Sequence, residues 1–170
     1  MKTLLVFILM TVVMSSCSHF NNNNLFDGMD IKLITDTLPV LHLNNNSVLK
    51  LFQNKNVIMV HYFNGNCSYC ISGIVKRVNY VDSILGKNIG LLFIAESEDT
   101  ASLNYMLDRI RFGYPVLYDV EHRFYQWNKK IIDRGIKTFL INNEGNILIQ
   151  GDPVNNKKIE NKYFKIIRFN

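Results

Sequence analysis

Two cysteines three positions apart are the residues of this chain best suited to chemistry. Cys67 and Cys70 enclose the dipeptide Ser68-Tyr69, so their sulfurs can form a disulfide with each other. In such a pair the first sulfur can attack a disulfide of another molecule, and the second can then resolve the mixed disulfide. The spacing therefore predicts thiol–disulfide exchange, in which Cys67 attacks and Cys70 resolves.

Other uses of a cysteine pair must be weighed against exchange. A closed zinc site needs four ligands, and the chain has no second cysteine pair. Covalent haem attachment requires a histidine directly after the second cysteine, where this chain has Ile71. A permanently oxidised structural disulfide stays open as an alternative, although so small a loop would add little stability. We expect no metal and no other cofactor. The four histidines lack ligand-like spacing; they are His19, His42, His61 and His122.

The pair lies where a predicted strand meets a predicted helix. Residues 57–63 form a nearly continuous apolar run, which is typical of a central strand covered on both faces. After a turn at 64–66, the helical spacing of apolar side chains predicts a helix over 68–85, closed by Gly86. The first residues of a helix carry free N–H groups and the positive end of the helix dipole, which favour an anion. We therefore expect a lowered pKa for the Cys67 thiol.

The remaining pattern alternates strands with helices. Strands are predicted at 89–95, 115–118, 136–142 and 147–150, with one or two more within 31–43. Helices are predicted at 47–52, 98–111, 121–127 and 155–167. This order predicts an α/β fold with a central mixed β-sheet flanked by helices on both faces, because only the closing hairpin must be antiparallel.

The N-terminus has the pattern of an export signal. Lys2 precedes an apolar run over 4–14 that is too short to span a bilayer. The following Met14-Ser15-Ser16-Cys17 resembles the lipobox of bacterial lipoproteins, in which the cysteine is lipidated and the signal is cut before it. This resemblance implies a signal peptide at 1–16 and an anchor to a membrane outside the cytoplasm, in the cell envelope, through lipid on Cys17. The alternative is an ordinary signal peptide with an incidental cysteine.

Composition divides the rest of the chain into a tether and one domain. Residues 17–30 are rich in asparagine and read as a flexible tether, whereas 31–170 form one domain of ordinary size. The formal net charge of the full sequence is +5, and its basic residues are scattered. A nucleic-acid partner would need a denser basic patch with interleaved aromatic residues, so we expect none.

Two segments resemble the thioredoxin family. Residues 58–70, which end in Cys67-Ser68-Tyr69-Cys70, look like its active-site strand and turn, and 135–147 look like its penultimate hairpin. The similarity is strongest to the membrane-tethered thioredoxin-like reductases of the bacterial envelope. It implies the thioredoxin-like fold, a protein disulfide as substrate and a thiol or disulfide redox partner, and it favours the reducing direction.

The resemblance also assigns roles to single residues. His61 stands where cytoplasmic thioredoxins have a buried aspartate, so a histidine near its normal pKa is predicted as the base for Cys70. The alternative is a core histidine bonded to a backbone carbonyl. Phe63 and Tyr69 are predicted to line the approach to Cys67. Ile136 or Lys137 stands where the family has a cis-proline beside the substrate groove, and we expect a trans peptide bond there.

Departures from the family pattern keep two other functions open. Asn66 replaces an aromatic residue before the first cysteine, and the proline is missing. Both changes would suit a non-catalytic binding module on the same fold. A copper carrier using both sulfurs and a histidine is a third reading, although such proteins have a wider cysteine spacing. The acidic residues after the strand at 89–95 are expected to form a solvated loop and the start of a helix; they are Glu96, Glu98 and Asp99.

Overall fold

The computed structural model describes residues 38–43, 45–86 and 88–169. The predicted signal peptide at 1–16, the tether at 17–30 and the lipidated Cys17 lie outside these residues. So does most of the 31–43 segment that was expected to contain one or two strands; its described part includes one strand.

One mixed sheet forms the centre of the described domain. Its six strands are β1 (Val40–His42), β2 (Val57–Asn64), β3 (Ile89–Glu96), β4 (Val116–Tyr118), β5 (Thr138–Asn142) and β6 (Ile147–Gln150). They lie in the order β1-β4-β3-β2-β5-β6. β2, β3 and β4 are mutually parallel, whereas β1, β5 and β6 run antiparallel to their neighbours. The predicted mixed α/β sheet is confirmed.

Helices cover both faces of this sheet. They are α1 (Asn45–Asn54), α2 (Ser68–Tyr80), α3 (Thr100–Arg109), α4 (Arg123–Ile132) and α5 (Lys157–Phe169). A π-helical turn over Val81–Leu85 extends α2 to Gly86, whose φ of 83° suits the predicted glycine stop. α2, α3 and α5 pack on one face of the sheet, and α1 and α4 pack on the other. In the described part of the chain, no helix is both long and apolar enough to cross a membrane.

Some predicted boundaries were wrong. The helix expected at 121–127 is a short 3-10 turn, Val120–His122, followed by the longer α4. The buried carboxylate of Asp119 accepts the N–H groups of Phe124 and Tyr125, so the helix begins later than its sequence pattern suggests. The strand expected from Ile136 begins two residues later, where ladder pairing with β2 starts.

Both faces of β2 are buried, as its apolar run predicted. Alternate residues point to opposite sides, so Met59 and Phe63 meet the α2 side while Val60 and Tyr62 meet the α4 side. The neighbours β3 and β5 hold β2 in the centre of the sheet. This fixed strand delivers the chain to the loop that carries Cys67.

Candidate active site

The turn between β2 and α2 is tied to the end of β3. The N–H of Gly65 donates to the carbonyl of Glu96 at 2.6 Å. A Cβ on Gly65 would lie 2.6 Å from Cδ2 of the buried Leu103, so any larger residue would force that side chain to move. The hydroxyl of Ser97 donates to Asn66 Oδ1 at 2.8 Å, which braces the residue just before Cys67. Asn66 thus supports the loop where the resembled family has an aromatic ring.

Cys67 occupies the N-cap position of α2. Its backbone is extended, and its carbonyl accepts the N–H of Ile71 at 3.1 Å. Its Sγ accepts the N–H of Cys70 at 3.2 Å, as an N-cap side chain does. Both cysteines are free thiols and are partly exposed. The strand–helix junction therefore presents the two sulfurs together, at the positive end of the helix dipole.

The two thiols have opposite pKa shifts. Hydrogen bonds from the Cys70 side chain and backbone lower the pKa of Cys67, and the positive charge of Lys137 adds to this effect. Burial and the hydrogen bond with Cys67 raise the pKa of Cys70. Of the two sulfurs, the one at the helix start therefore loses its proton more readily. A thiolate attacks a disulfide and a thiol does not, so this asymmetry suits Cys67 as the attacker.

His61 lies on β2 with its ring buried on the α2 side. Its Nδ1 lies 2.8 Å from Thr138 Oγ1, and its ring is parallel to that of Phe63 with centroids 6.5 Å apart. Burial, followed by the charges of Arg77 and Lys137, lowers the pKa of His61 well below its usual value. The expectation of a normal pKa is therefore wrong. Its side-chain hydrogen bond goes to Thr138 and not to a sulfur, and its role as a base stays a prediction.

The predicted substrate-contacting residues fall into two groups. Phe63 is buried beneath the site and packs in the core. Tyr69 projects between the cysteines and is 78% exposed, Lys137 is exposed and Ile136 is half-buried. Every peptide bond in the described ranges is trans, which confirms the expected trans bond at the position of the missing proline. The structure therefore leaves three of these four side chains accessible to a partner.

The sequence did not reveal a second polar cluster on the other side of the sheet. The phenol of Tyr62 donates to Glu96 Oε2 at 2.6 Å, and His122 Nδ1 lies 2.9 Å from Glu96 Oε1. Glu96 is thus a partly buried, hydrogen-bonded carboxylate and not a freely solvated loop residue. Only the sheet order could have indicated this, since β3 and β2 end at the same edge. An open cavity of about 550 Å³ adjoins the cluster, lined by Glu96, His122, Tyr125, Gln126 and Lys129.

Potential metal ligands are dispersed. Within residues 38–43, 45–86 and 88–169, no three side chains of His, Cys, Asp or Glu are grouped so that they could hold an ion. In particular, neither Cys67 nor Cys70 shares such a group with a histidine. The arrangement that a copper carrier would need is therefore not formed by the described residues.

Comparison with known proteins identifies the fold. No family model matches the sequence, and no curated protein matches it either. The thioredoxin domain of a thiol-disulfide oxidoreductase from Bacteroides vulgatus superposes with a TM-score of 0.52 at 12% identity, covering 70% of this chain and 84% of that one. An uncharacterized thioredoxin-like protein from the same organism superposes with a TM-score of 0.53 at 12% sequence identity, and the match covers 69% of this chain and 74% of that one.

A third solved structure is the N-terminal domain of PilB from Neisseria gonorrhoeae. It gives a TM-score of 0.51 at 13% identity and covers 72% of this chain and 83% of that one. At such low identity, similarity speaks for the fold and leaves function to the site itself. The chain therefore has a thioredoxin-like fold, with Cys67 and Cys70 at the start of the helix that follows its central strand.

Proposed function

We propose that this protein is a thiol–disulfide oxidoreductase of the bacterial cell envelope. The observation that carries the proposal is the placement of two free, partly exposed thiols at the N-terminus of α2, where Cys67 Sγ accepts the N–H of Cys70 at 3.2 Å. The directions of the pKa shifts agree with this placement, because the pKa of Cys67 is lowered and that of Cys70 is raised. A pair built only as a structural staple would need no such difference between its sulfurs. A redox pair needs it, because one sulfur must attack and the other must wait.

The reaction begins with the Cys67 thiolate. It attacks one sulfur of a substrate disulfide, forming a mixed disulfide and releasing the other substrate sulfur as a thiolate that takes up a proton. Cys70 then loses its proton and attacks Cys67 Sγ, which forms the Cys67–Cys70 disulfide and releases the second substrate thiol. The substrate has gained two electrons and the protein has lost them. A thiol redox partner must reduce the pair before the next cycle.

The structure suggests how Cys70 becomes reactive at the right moment. After burial, the hydrogen bond with Cys67 and the negative charge of its thiolate are the largest causes of the raised pKa of Cys70. The charge disappears and the hydrogen bond weakens when Cys67 is held in a mixed disulfide, because its sulfur is then neutral and is a poor acceptor for the Cys70 thiol proton. The pKa of Cys70 therefore falls as the intermediate forms. His61, with its lowered pKa, is a weak base for this step, so the released substrate thiolate is the better acceptor of the Cys70 proton.

The proposal includes the place of the protein in the cell. A signal peptide at 1–16 would direct export and then be removed. Lipid on Cys17 and a tether at 17–30 would hold the domain, 31–170, at a membrane outside the cytoplasm. Support comes from the sequence pattern around Met14-Ser15-Ser16-Cys17. Replacing Cys17 with serine should release the protein from membranes and remove the mass of the acyl chains. If the variant stayed on membranes and kept the mass of the acyl chains, the proposed anchor would be contradicted.

A redox titration tests the proposed activity. The reduced and oxidised pair is equilibrated with glutathione or dithiothreitol buffers, and the free thiols are counted by alkylation. We expect a reversible two-electron transition that is lost in Cys67→Ser and in Cys70→Ser but kept in Cys17→Ser. Its midpoint would assign the reducing or oxidising direction. Thiols that never cycle would contradict the proposal.

A non-catalytic binding module is the second candidate. It is favoured by Asn66, which ties the active-site loop to Ser97, and by the missing proline, which would fall at Ile136 or Lys137. In that case the groove beside Cys67 would hold a partner without exchange. The titration separates the two functions, because only an oxidoreductase requires the reversible redox transition. A second test follows from partner binding, which a binding module would keep when both cysteines are replaced by serine.

A further inference from the structure

Lys137 places an exposed positive charge at the edge of the sheet where the cysteines react. The antiparallel register pairs Thr138 with His61, six residues before Cys67. Lys137 is the residue before Thr138. Because β5 runs antiparallel to β2, Lys137 lies one step nearer the edge that carries the cysteines, and its carbonyl accepts the N–H of Tyr62 at 2.8 Å. Its backbone is therefore fixed against the central strand, while its side chain is free to meet a partner.

Among the residues that the structure describes, no acidic side chain forms an ion pair with Lys137. The backbone pairing with β2 places Lys137 at the edge that carries the cysteines, and its charge is close enough to contribute to the pKa values of Cys67, Cys70 and His61. An unpaired cation at a reaction edge attracts whatever carboxylate approaches with the substrate.

We propose that Lys137 is a specificity residue that selects disulfides flanked by acidic residues of the protein substrate. This inference rests on the proposed exchange activity and deepens it. The ammonium forms an ion pair with a substrate carboxylate while Cys67 attacks the neighbouring disulfide. It also disfavours a substrate with a lysine or arginine at the same place, so the charge discriminates in both directions.

The size of the rate difference follows from the solvent exposure of the proposed ion pair between Lys137 and the substrate carboxylate. Exposed ion pairs correspond to a factor of roughly 1.5 to 5 in rate or binding, and like charges cost a similar factor. The wild-type protein should therefore react about 2 to 25 times faster with an acidic peptide than with its basic counterpart. Salt at about 0.5 M should reduce this ratio, because it screens exposed charges.

The test uses two synthetic peptides with one intramolecular disulfide each, flanked by glutamates in one and by lysines in the other. The full chain is reduced, and the second-order rate of peptide reduction is measured for wild type, Lys137→Met and Lys137→Glu. Lys130→Met, an exposed lysine on α4, is the matched control. The ratio of the two rates is the readout, because any change in the reactivity of Cys67 itself cancels in it.

We expect a preference for the acidic peptide in wild type and in Lys130→Met, a ratio near one in Lys137→Met, and a reversed ratio in Lys137→Glu. A merely structural role of Lys137 would not reverse with the sign of its charge. Equal rates for both peptides in wild type, or an unchanged ratio in Lys137→Glu, would overturn the inference while exchange stands. Failure of wild type to reduce either peptide would overturn the proposed function and the inference together.

Discussion

The buried His61 makes the stability of this domain depend on pH in a calculable way. Its pKa is lowered well below 6.5 in the folded protein, chiefly by burial. In the unfolded chain the same imidazole titrates near 6.5. Below that pH the unfolded state therefore binds a proton that the folded state excludes, and folding becomes less favourable. Above that pH neither state is protonated, so His61 contributes no pH dependence.

The size of the change in the free energy of unfolding follows from the one proton that each unfolded molecule binds at His61. The free energy of unfolding should fall by about 1.4 kcal/mol for each pH unit below 6.5, until the pH reaches the folded pKa. Between pH 7.5 and 5.5 the loss from His61 alone is about 1.4 kcal/mol. This range lies above the usual titration of exposed carboxylates, so their contribution is small there.

Urea unfolding of the reduced protein, followed by the fluorescence of the single tryptophan, Trp127, measures this effect. His61→Leu should lower stability at pH 7.5 but remove most of the loss between pH 7.5 and 5.5. Thr138→Val serves as the control, because it removes the hydroxyl beside Nδ1 and leaves the buried imidazole in place. The same pH dependence in wild type and in His61→Leu would refute the reasoning, and it would mean that His61 is protonated in the fold.

Three further predictions follow from the active-site geometry. Replacing Cys70 with alanine should raise the pKa of Cys67, because the substitution removes the side-chain hydrogen bond that lowers this pKa most. The pH dependence of iodoacetamide alkylation measures the change, and an unchanged profile would contradict the hydrogen bond. Gly65→Ala should cost about 1–3 kcal/mol in thermal unfolding, since its Cβ would clash with Leu103, whereas Gly113→Ala has free space and should cost much less. Asp119→Ala should cost about 1–2 kcal/mol because α4 loses its cap, and a loss no greater than that of Lys130→Met would contradict this role.

The sequence sufficed where local pattern and chain position decide the structure. The apolar run of β2, the following turn and the helical spacing after it placed Cys67 at a helix start, and the structure confirms that position. The β5–β6 hairpin was visible from its turn residues, Glu144-Gly145-Asn146. Each of these features depends on neighbours in sequence, so no knowledge of the packing was required.

Features set by tertiary contacts could not be predicted. The pKa of His61 depends on burial under other elements and on charges from α2 and the start of β5. The start of α4 depends on the carboxylate of Asp119, which comes from the preceding strand end. The contact of Glu96 with Tyr62 and His122 joins three separate segments. Only the assembled sheet brings those residues together.

Trapping of the mixed disulfide tests the central claim most directly. Cys70→Ser keeps the attacking sulfur and removes the resolving one, so a covalent complex with a disulfide-containing protein should accumulate and dissolve on addition of dithiothreitol. Cys67→Ser should form little of this complex, because burial, the largest cause of the raised pKa of the remaining Cys70 thiol, persists in the variant. Equal trapping by both variants would contradict the assignment of Cys67 as the attacker. No trapping by either would contradict thiol–disulfide exchange itself.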